Sequence, residues 1–514
     1  MNRAKKYFIN ALILSGCTLL MRTVAVAFNA FCVNKVGSEG MGLFSLVMSV
    51  YTFAVTLATS GVNLASTRLV ALYIGKNEGN SVKSAMNKCI IYSMLFGTAA
   101  SILLFVFSSF AAENFLHEPR AAISIRALSF SLLPLSLCSA FSGYFSAVRR
   151  VYKNAISQVM EQAVKIFSCT FLLSLFVPKG VEYACLALVL GGTVSEIFSF
   201  FMQALSYAAD LRKIGGGGES VKMREVTGIS LPVAFSAYVR SGLVTIEHIL
   251  IPIGLASYGD SNALATYGVV SAVALPIVLY PSAFVGAFSG QMIPEITEFH
   301  SLENRKEVAY ITSRAFSVTL LFSILCSGLL CTFASDFCEV IYSSGEGAEY
   351  LHALAPLMPV MFFDTVTDSV LKGLGKQFYT MCVNIIDAAI SVVFVWLLVP
   401  QMGVYGYIVV IYVSECINTV FSIWKLLRIT DVKINLAKIL FSPLAAAIGA
   451  SNICNVLLPY MHMPQNTASL IAECIMFIVC YFLLVRMLGG IGKEEKIWIK
   501  NVLGKQKNIV KNKC

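Results

Sequence analysis

Asp210–Glu225, DLRKIGGGGESVKMRE, is the longest polar run between two halves that are otherwise almost continuously apolar. Arg212, Lys213, Lys222 and Arg224 outnumber Asp210, Glu219 and Glu225, and Gly215, Gly216, Gly217 and Gly218 separate the two basic pairs. Four consecutive glycines carry no stable helix. Alone, the run suits a linker between soluble domains, a basic surface patch, or a cytosolic loop joining two membrane bundles. The flanking sequence selects the third.

Of the 514 residues, 57% are hydrophobic and only 13% charged, against about a quarter charged in soluble domains. Apolar runs of about 20 residues, the length that crosses a bilayer, recur along the chain. They predict an all-α polytopic membrane protein with fourteen transmembrane helices. The net charge of +10 comes from short Lys and Arg clusters between the spans, so it sets topology, and no nucleic-acid partner is expected. With the N-terminus inside, 31 of the 38 Lys and Arg residues fall on the cytoplasmic side and 4 outside, with Arg22, Lys165 and Arg240 inside spans. By the positive-inside rule both termini are cytoplasmic, in a multi-pass protein of the cytoplasmic membrane. The opening segment reads as the first span, because its apolar run is too long for a secretory signal and Arg22 interrupts it. The fifteen cysteines show no ligand spacing; even Cys331 and Cys338, near one helix end, read as small buried hydrophobes.

A fixed offset of 226 residues superposes the halves. The segment starting at Gly40, GMGLFSLVMSVYTF, aligns with TYGVVSAVALPIVL starting at Thr266; Gly42 meets Gly268, Lys88 meets Arg314, Arg150 meets Lys376, and Glu161 meets Asp387. Six spans per copy give parallel repeats. The expected organisation is an N-terminal lobe over 1–209, a cytoplasmic loop over 210–227, a C-terminal lobe over 228–430, two further helices over 431–488, and a basic tail over 489–514 lying against the inner leaflet. Two lobes around a cavity suit alternating access, with the glycine run as the tether that lets them rock.

Charges at membrane depth are costly and tend to face a cavity or a partner. Arg22 lies about 12 residues from either end of its span. Arg240, Glu247 and His248 lie on SAYVRSGLVTIEHILIPIGL, where Arg240 and Glu247, seven apart, share a helix face. A cationic site built from Arg22 and Arg240 suits an anionic headgroup, since the guanidinium fork matches phosphate oxygens. Glu247 would balance charge or take a proton; interhelical charge pairing is the alternative. His248 reads as a hydrogen-bonded packing residue. Asp364 and Asp368, four apart, would repel unless a cation or proton intervenes, a possible Na+ or H+ coupling site. Glu161 and Lys165 read as a structural pair. Asn29, Asn63 and Ser66 are candidates for the cavity wall. Pro232, Pro252, Pro276, Pro281 and Pro294 predict broken seventh and eighth helices. No HExxH, P-loop or CxxC pattern is present, so the chain reads as a non-enzyme without a tightly bound cofactor.

The opening span with Arg22, NKVGSEGMGLFSLVMSVY from Asn34, SGVNLASTRLV from Ser60, ISLPVAFSAYVRSGLVTIEHILIPIGL from Ile229, YGVVSAVALPIVLYPSAFVGAFSGQMIPEI from Tyr267 and LKGLGKQ from Leu371 carry a resemblance. The chain is similar to the stage V sporulation protein B type transporters, in the polysaccharide-exporter branch of the multidrug, oligosaccharidyl-lipid and polysaccharide (MOP) flippase superfamily. The resemblance covers about residues 5–490. It implies two six-helix lobes plus two C-terminal helices, with spans 1, 2, 7 and 8 around the cavity. It also implies outward transfer of an undecaprenyl-(pyro)phosphate-linked glycan or peptidoglycan precursor, linked to spore cortex formation. In related lipid II flippases, arginines of the first, second and eighth spans meet the pyrophosphate. Arg22 matches the first location, Arg68 ends the second span, and Arg240 in the seventh stands in for the arginine that the eighth lacks. Expected partners are a polyprenyl-linked anionic glycolipid, membrane lipids and cell-wall synthesis enzymes around a monomeric transporter. A cation-coupled multidrug exporter, expected to have an acidic aromatic cavity, is the competing reading, and a non-transporting scaffold a third.

Overall fold

The first helical stretch, α1 (Arg3–Thr59), contains one non-helical residue, Gly37 (φ 81°, ψ 168°). Asn29 and Ser45, eight positions to either side, hydrogen-bond adjacent residues: the Asn29 amide donates to the Ala272 carbonyl at 2.6 Å, and the Ser271 hydroxyl donates to Ser45 at 3.1 Å. In a straight helix those sixteen positions would lie roughly 24 Å apart, so the chain folds back at Gly37. Positive φ explains why glycine stands at this turn. The second crossing continues past left-handed Ser60 and Gly61 into α2 (Val62–Gly75).

The structure, a computed structural model, describes residues 3–211, 217–430, 432, 437–461 and 467–490. Arg212, Lys213, Gly215 and Gly216 of the central run, and the basic tail from 491 onward, lie outside the described residues. Helices α3 (Gly79–Phe110), α4 (Ala122–Ala147), α5 (Val151–Phe176), α6 (Val181–Leu211), α7 (Met223–Tyr258) and α8 (Ala263–Gly268) follow. Then come α9 (Leu275–Leu279), α10 (Ser282–Ser301), α11 (Arg305–Thr332), α12 (Ala334–Tyr342), α13 (Ala348–Leu354), α14 (Met358–Gly373), α15 (Gln377–Met402), α16 (Val404–Ile429), α17 (Ser442–Met461) and α18 (Thr467–Met487). No strand occurs among the described residues. Twelve helical segments are long and apolar enough to cross a membrane, thirteen with the broken pair around Pro281. One of the twelve, Leu20–Gly75, holds 56 residues, roughly 84 Å of helix against about 30 Å of hydrocarbon, and Gly37 divides it. Large apolar side chains stay exposed on the outward faces, Phe167 by 75% and Phe235 by 70%, as lipid contact requires. Between helices, buried serines such as Ser66, Ser93 and Ser136 allow close approach.

Residues separate into two compact units, one of Met1–Val273 with Asn384–Ser414 and one of Ala274–Val383 with Glu415–Cys514. In the first, α3 packs on α4, α5 on α6, α4 on α6, and α1 on α7 and α8. In the second, α14 packs on α10 and α11, and α17 on α11 and α18.

The proline expectation divides. Helix α7 continues through Pro232 and Pro252 without a break, whereas the eighth crossing is interrupted by a π-helical turn at Val269–Ala274 and by Tyr280–Pro281. In α7 the carbonyls released by the missing amides are tolerated without ending the helix. Described cysteines are free thiols, Cys331 half-buried and Cys338 buried.

The described half of the glycine-rich run is docked, which differs from a free tether. Asn80 N–H donates to the Gly217 carbonyl (3.1 Å), the Ser81 hydroxyl to the Glu219 carbonyl (3.0 Å), and Val221 N–H to the Ser84 hydroxyl (2.9 Å). Val221 is buried with Val62, Leu69, Ala85, Tyr92 and Val226. Gly218 (φ 122°) lies against Ser81 and Glu78, where a side chain would collide. Helix propensity registers only that glycines do not form helix; the docking depends on serine hydroxyls about 135 positions earlier. Ser84→Ala removes the acceptor for Val221 and costs about 1 kcal/mol, roughly fivefold in the undocked population. Tryptic cleavage after Lys222 therefore rises about fivefold in Ser84→Ala and stays near the parent rate in Ser84→Thr; equal rates in all three would show that docking does not protect the segment.

Candidate functional site

Helix α7 carries Arg240, Glu247 and His248, and a ladder of hydroxyl groups fixes it to the second crossing. The Thr245 hydroxyl donates to the Ser49 carbonyl (3.1 Å), Thr56 to the Ser241 hydroxyl (3.1 Å), Ser60 and Tyr238 share a hydrogen bond, and Tyr73 donates to the Glu225 carboxylate (2.8 Å). Partners step from 245 back to 225 as the chain advances from 49 to 73, so the two run antiparallel. Hydroxyl groups hold helices together where apolar burial gives no driving force. Gly61 lies under the Ser230 carbonyl of α7, too close for a side chain.

This register also sets depth. Arg240 lies beside Tyr238 and Ser241, opposite Ser60 and Thr56; Glu247 lies beyond Thr245, opposite Ser49. Arg22, fifteen positions before Gly37, is level with Thr52 on the returning helix. Along the returning helix, from α2 towards Gly37, the order is Arg240, Arg22, Glu247, in steps of about five residues or roughly 7 Å. Arg22 is half-buried and Arg240 exposed on the protein surface, and neither makes an ion pair among the described residues. Arg68, midway along α2, is exposed and likewise forms none. Asp387 of α15 lies within electrostatic reach of Arg240. Asp387 accepts the Ser414 hydroxyl at 2.5 Å.

Glu247 stands in a second group. It is within electrostatic reach of Asp387, Tyr267 and Tyr407, and both tyrosines are buried. His248 shares a hydrogen bond with the Tyr267 hydroxyl (Nδ1 to O, 2.9 Å), the packing role its position predicts. The arrangement sets two carboxylates and two phenols beside one arginine, able to hold a proton or a cation at membrane depth. Tyr267 and Tyr407 carry a sequence signal only as hydroxylated aromatics inside apolar helices. Asp387 is signalled by its repeat relation to Glu161.

In the first half, the Tyr51 hydroxyl donates to Glu196 (2.6 Å) and lies 2.6 Å from the Ser131 hydroxyl. These are the partners that the sequence does not reveal for Glu196. Glu161 and Lys165 interact electrostatically without a direct ion pair among the described residues. At the end of α6, buried Asp210 pairs with Arg150 (2.5 Å) and Lys153 (2.8 Å).

Asn29 is engaged with Ala272, as above. Asn63 is exposed, its amide donating to the Ser139 carbonyl at 3.2 Å, and Ser66 is wholly buried, its hydroxyl turned to the Asn63 carbonyl at 3.0 Å. Asp364 and Asp368 lie on α14 of the second unit. Asn418 of α16 donates to Asp364 (3.0 Å), and Lys372 stands 3.6 Å from Asp368. Asn418 is signalled only as an amide in an otherwise apolar helix. Among the described residues no three or more His, Cys, Asp or Glu side chains are grouped to hold a metal ion.

The family described as polysaccharide biosynthesis protein matches residues 8–300, and the MatE family matches residues 236–397. The chain is 21% identical to Stage V sporulation protein B of Bacillus subtilis (strain 168) over 98% of this chain and 99% of that one. It is 24% identical to Lipid II flippase MurJ of the same organism over 70% of this chain and 71% of that one. Among solved structures, Lipid II flippase MurJ in an inward closed conformation superposes with a TM-score of 0.69 at 14% identity, over 93% of this chain and 99% of that one. An inward-facing multidrug resistance MATE transporter of the MOP superfamily superposes with a TM-score of 0.60 at 15% identity, over 79% and 94%. The all-helical fold is therefore that shared by these transporters, and the chain, a multi-pass membrane protein, belongs to the polysaccharide biosynthesis protein family.

Proposed function

We propose that this protein flips an undecaprenyl-(pyro)phosphate-linked cell-wall glycan or peptidoglycan precursor across the cytoplasmic membrane by alternating access, in spore cortex synthesis. The observation that carries the reading is Arg22 and Arg240, cations at membrane depth that form no direct ion pair among the described residues. An anionic headgroup suits two such cations, and arginine binds phosphate oxygens in pairs of hydrogen bonds. The full-length similarity to Stage V sporulation protein B supports the process, and the arginine chemistry supports the cargo class. In this reading, the headgroup enters from the inner leaflet with its polyprenyl tail left in lipid, meets Arg240 and then Arg22, and leaves outward; two lobes of six spans rock around it. An inside-negative potential favours outward passage of anionic cargo by roughly 2.3 kcal/mol per charge per 100 mV. Na+ or H+ binding at the carboxylates would couple the return. Both termini are then cytoplasmic.

A second reading, a cation-coupled multidrug exporter, draws on the acidic and phenolic group of Glu247, Asp387, Tyr267 and Tyr407 and on the MatE match. Vesicles holding the full chain, given either a polyprenyl-pyrophosphate glycan or a cationic dye, separate the two. Translocation of the glycan headgroup without dye transport supports the first; dye transport with a stationary glycan overturns it in favour of the second.

A further inference from the structure

The two halves differ at one corresponding corner. In the first unit, buried Asp210 near the end of α6 takes both Arg150 and Lys153 at the start of α5. The repeat carries Arg150 to Lys376 and Lys153 to Tyr379. The pair Ser195-Glu196 of α6 recurs as Ser414-Glu415 of α16, which carries Asp210 to Ile429. The acid is therefore absent from the corresponding corner of the second unit, while cations remain. Lys376 precedes α15, and Lys425 and Arg428 stand in the last two turns of α16. None of the three forms an ion pair among the described residues, Asp431 lying outside them.

Aromatic rings hold the two cations of α16 instead. Lys425 Nζ lies 5.2 Å from the centre of the Tyr379 ring, and the Arg428 guanidinium 4.0 Å from that of Trp424. The Tyr379 hydroxyl donates to the Phe421 carbonyl at 2.9 Å, which ties the first turn of α15 to α16. Phe421, Trp424, Lys425 and Arg428 follow one another at helical spacing, so they form one stripe of α16. Phe421, Trp424 and Arg428 are exposed on the protein, as is Phe378 beside Tyr379. A ring face orients a cation without cancelling its charge, and N–H donors remain for an anion.

A topology signal needs only positive charge, whatever surrounds it. Ring-held cations beside exposed apolar side chains fit a ligand that has both an anionic head and hydrocarbon. The order along α16 is that of a lipid: Val420, Phe421 and Trp424 come first and Arg428 comes at the end of the span, where Trp and Tyr favour the level of the headgroups. Phosphodiester oxygens suit a guanidinium and an ammonium one turn apart. A free phosphate would leave the apolar part of the stripe uncovered.

We propose that Lys425 and Arg428 bind the headgroup of an anionic phospholipid whose acyl chains lie along Phe421 and Trp424. The site is on the outer surface of α16 and does not rest on the cargo reading.

The chain has three tryptophans. With Trp396→Phe and Trp498→Phe, Trp424 alone remains, and phospholipids with brominated chains quench it on contact. The probes are brominated phosphatidylglycerol and brominated phosphatidylcholine with the same chains, each added to the full chain in vesicles of unbrominated phosphatidylcholine. Phosphatidylglycerol binds beside Trp424 at least about fivefold more tightly than phosphatidylcholine. The preference falls to within about twofold of parity when Lys425→Gln and Arg428→Gln are combined, and each single variant lies between. Lys306→Gln, at an exposed cation of α11, leaves it unchanged. A chain keeping only Trp396, exposed on α15, shows parity, and soluble glycerol phosphate does not release the quenching lipid. Equal quenching of Trp424 by the two lipids, a preference that survives in the double variant and both singles, an equal loss in Lys306→Gln, an equal preference at Trp396, or release by glycerol phosphate overturns the site.

Discussion

Arg240→Glu lowers translocation of a polyprenyl-pyrophosphate glycan in reconstituted vesicles by at least about thirtyfold, the equivalent of roughly 2 kcal/mol, the lower end for breaking a desolvated charge pair. Two effects add. The guanidinium that would meet the headgroup is gone, and a third carboxylate joins Asp387 and Glu247, whose fields already reach this part of α7. Folding is little affected, because Arg240 is exposed on the protein and the helix is held by Ser49, Thr56, Ser60 and Tyr73 through other residues. Arg240→Lys keeps the charge and loses the fork, so it retains most of the rate in a site that reads charge and little of it in one that reads paired oxygens. Arg22→Glu falls as far as Arg240→Glu. Arg68→Glu, at an exposed position midway along α2, falls less, since solvent screens it. Headgroup accessibility to a membrane-impermeant reagent gives the rate, and an unchanged rate in Arg240→Glu would sink the central anionic site.

The membrane class, the apolar helices and the repeat are legible in the sequence because each is a pattern along the chain. Composition and spacing alone place the helices, and the common offset of Gly42 with Gly268 and of Glu161 with Asp387 marks the duplication. The structure gives that offset a physical meaning: Ser45 and Ser271, 226 apart, hydrogen-bond to each other. What the sequence withholds is pairing across it. Glu196 finds Tyr51 145 positions away, Asp364 finds Asn418 54 positions away, and Val221 finds Ser84 137 positions earlier. Each partner is a common residue with no periodic signal, so only the packed helices reveal it. The prolines show the same limit in reverse. Pro232 and Pro252 remove amide donors but leave α7 whole, because the surrounding packing decides whether a missing hydrogen bond ends a helix.

Gly42→Val destabilises the folded chain by about 3 kcal/mol, at the upper end of overpacking costs. A Cβ on Gly42 would run into the Leu264 carbonyl oxygen and approach Gly268 N; a Cβ on Gly268 would run into the Ser38 carbonyl oxygen and approach Gly42 N. The obstacles are backbone, which cannot swing aside as a long side chain can. The contact is reciprocal: Ser38 and Leu264 stand in the same repeat relation as Gly42 and Gly268. Two copies of one segment therefore meet across a local twofold axis, where only residues without side chains allow the backbones to touch. Separation there also strains the Ser45–Ser271 and Asn29–Ala272 hydrogen bonds just beyond. Gly268→Val consequently costs about as much as Gly42→Val, and Gly42→Ala less than either. The double variant is the sharper test. Once the first valine has parted the helices, the second enters space already opened, so the pair costs clearly less than the sum. Thermal unfolding in detergent measures all four. Parent-like stability of Gly42→Val, or strict additivity of the two valines, would mean that the glycines do not share one contact and that the axis lies elsewhere.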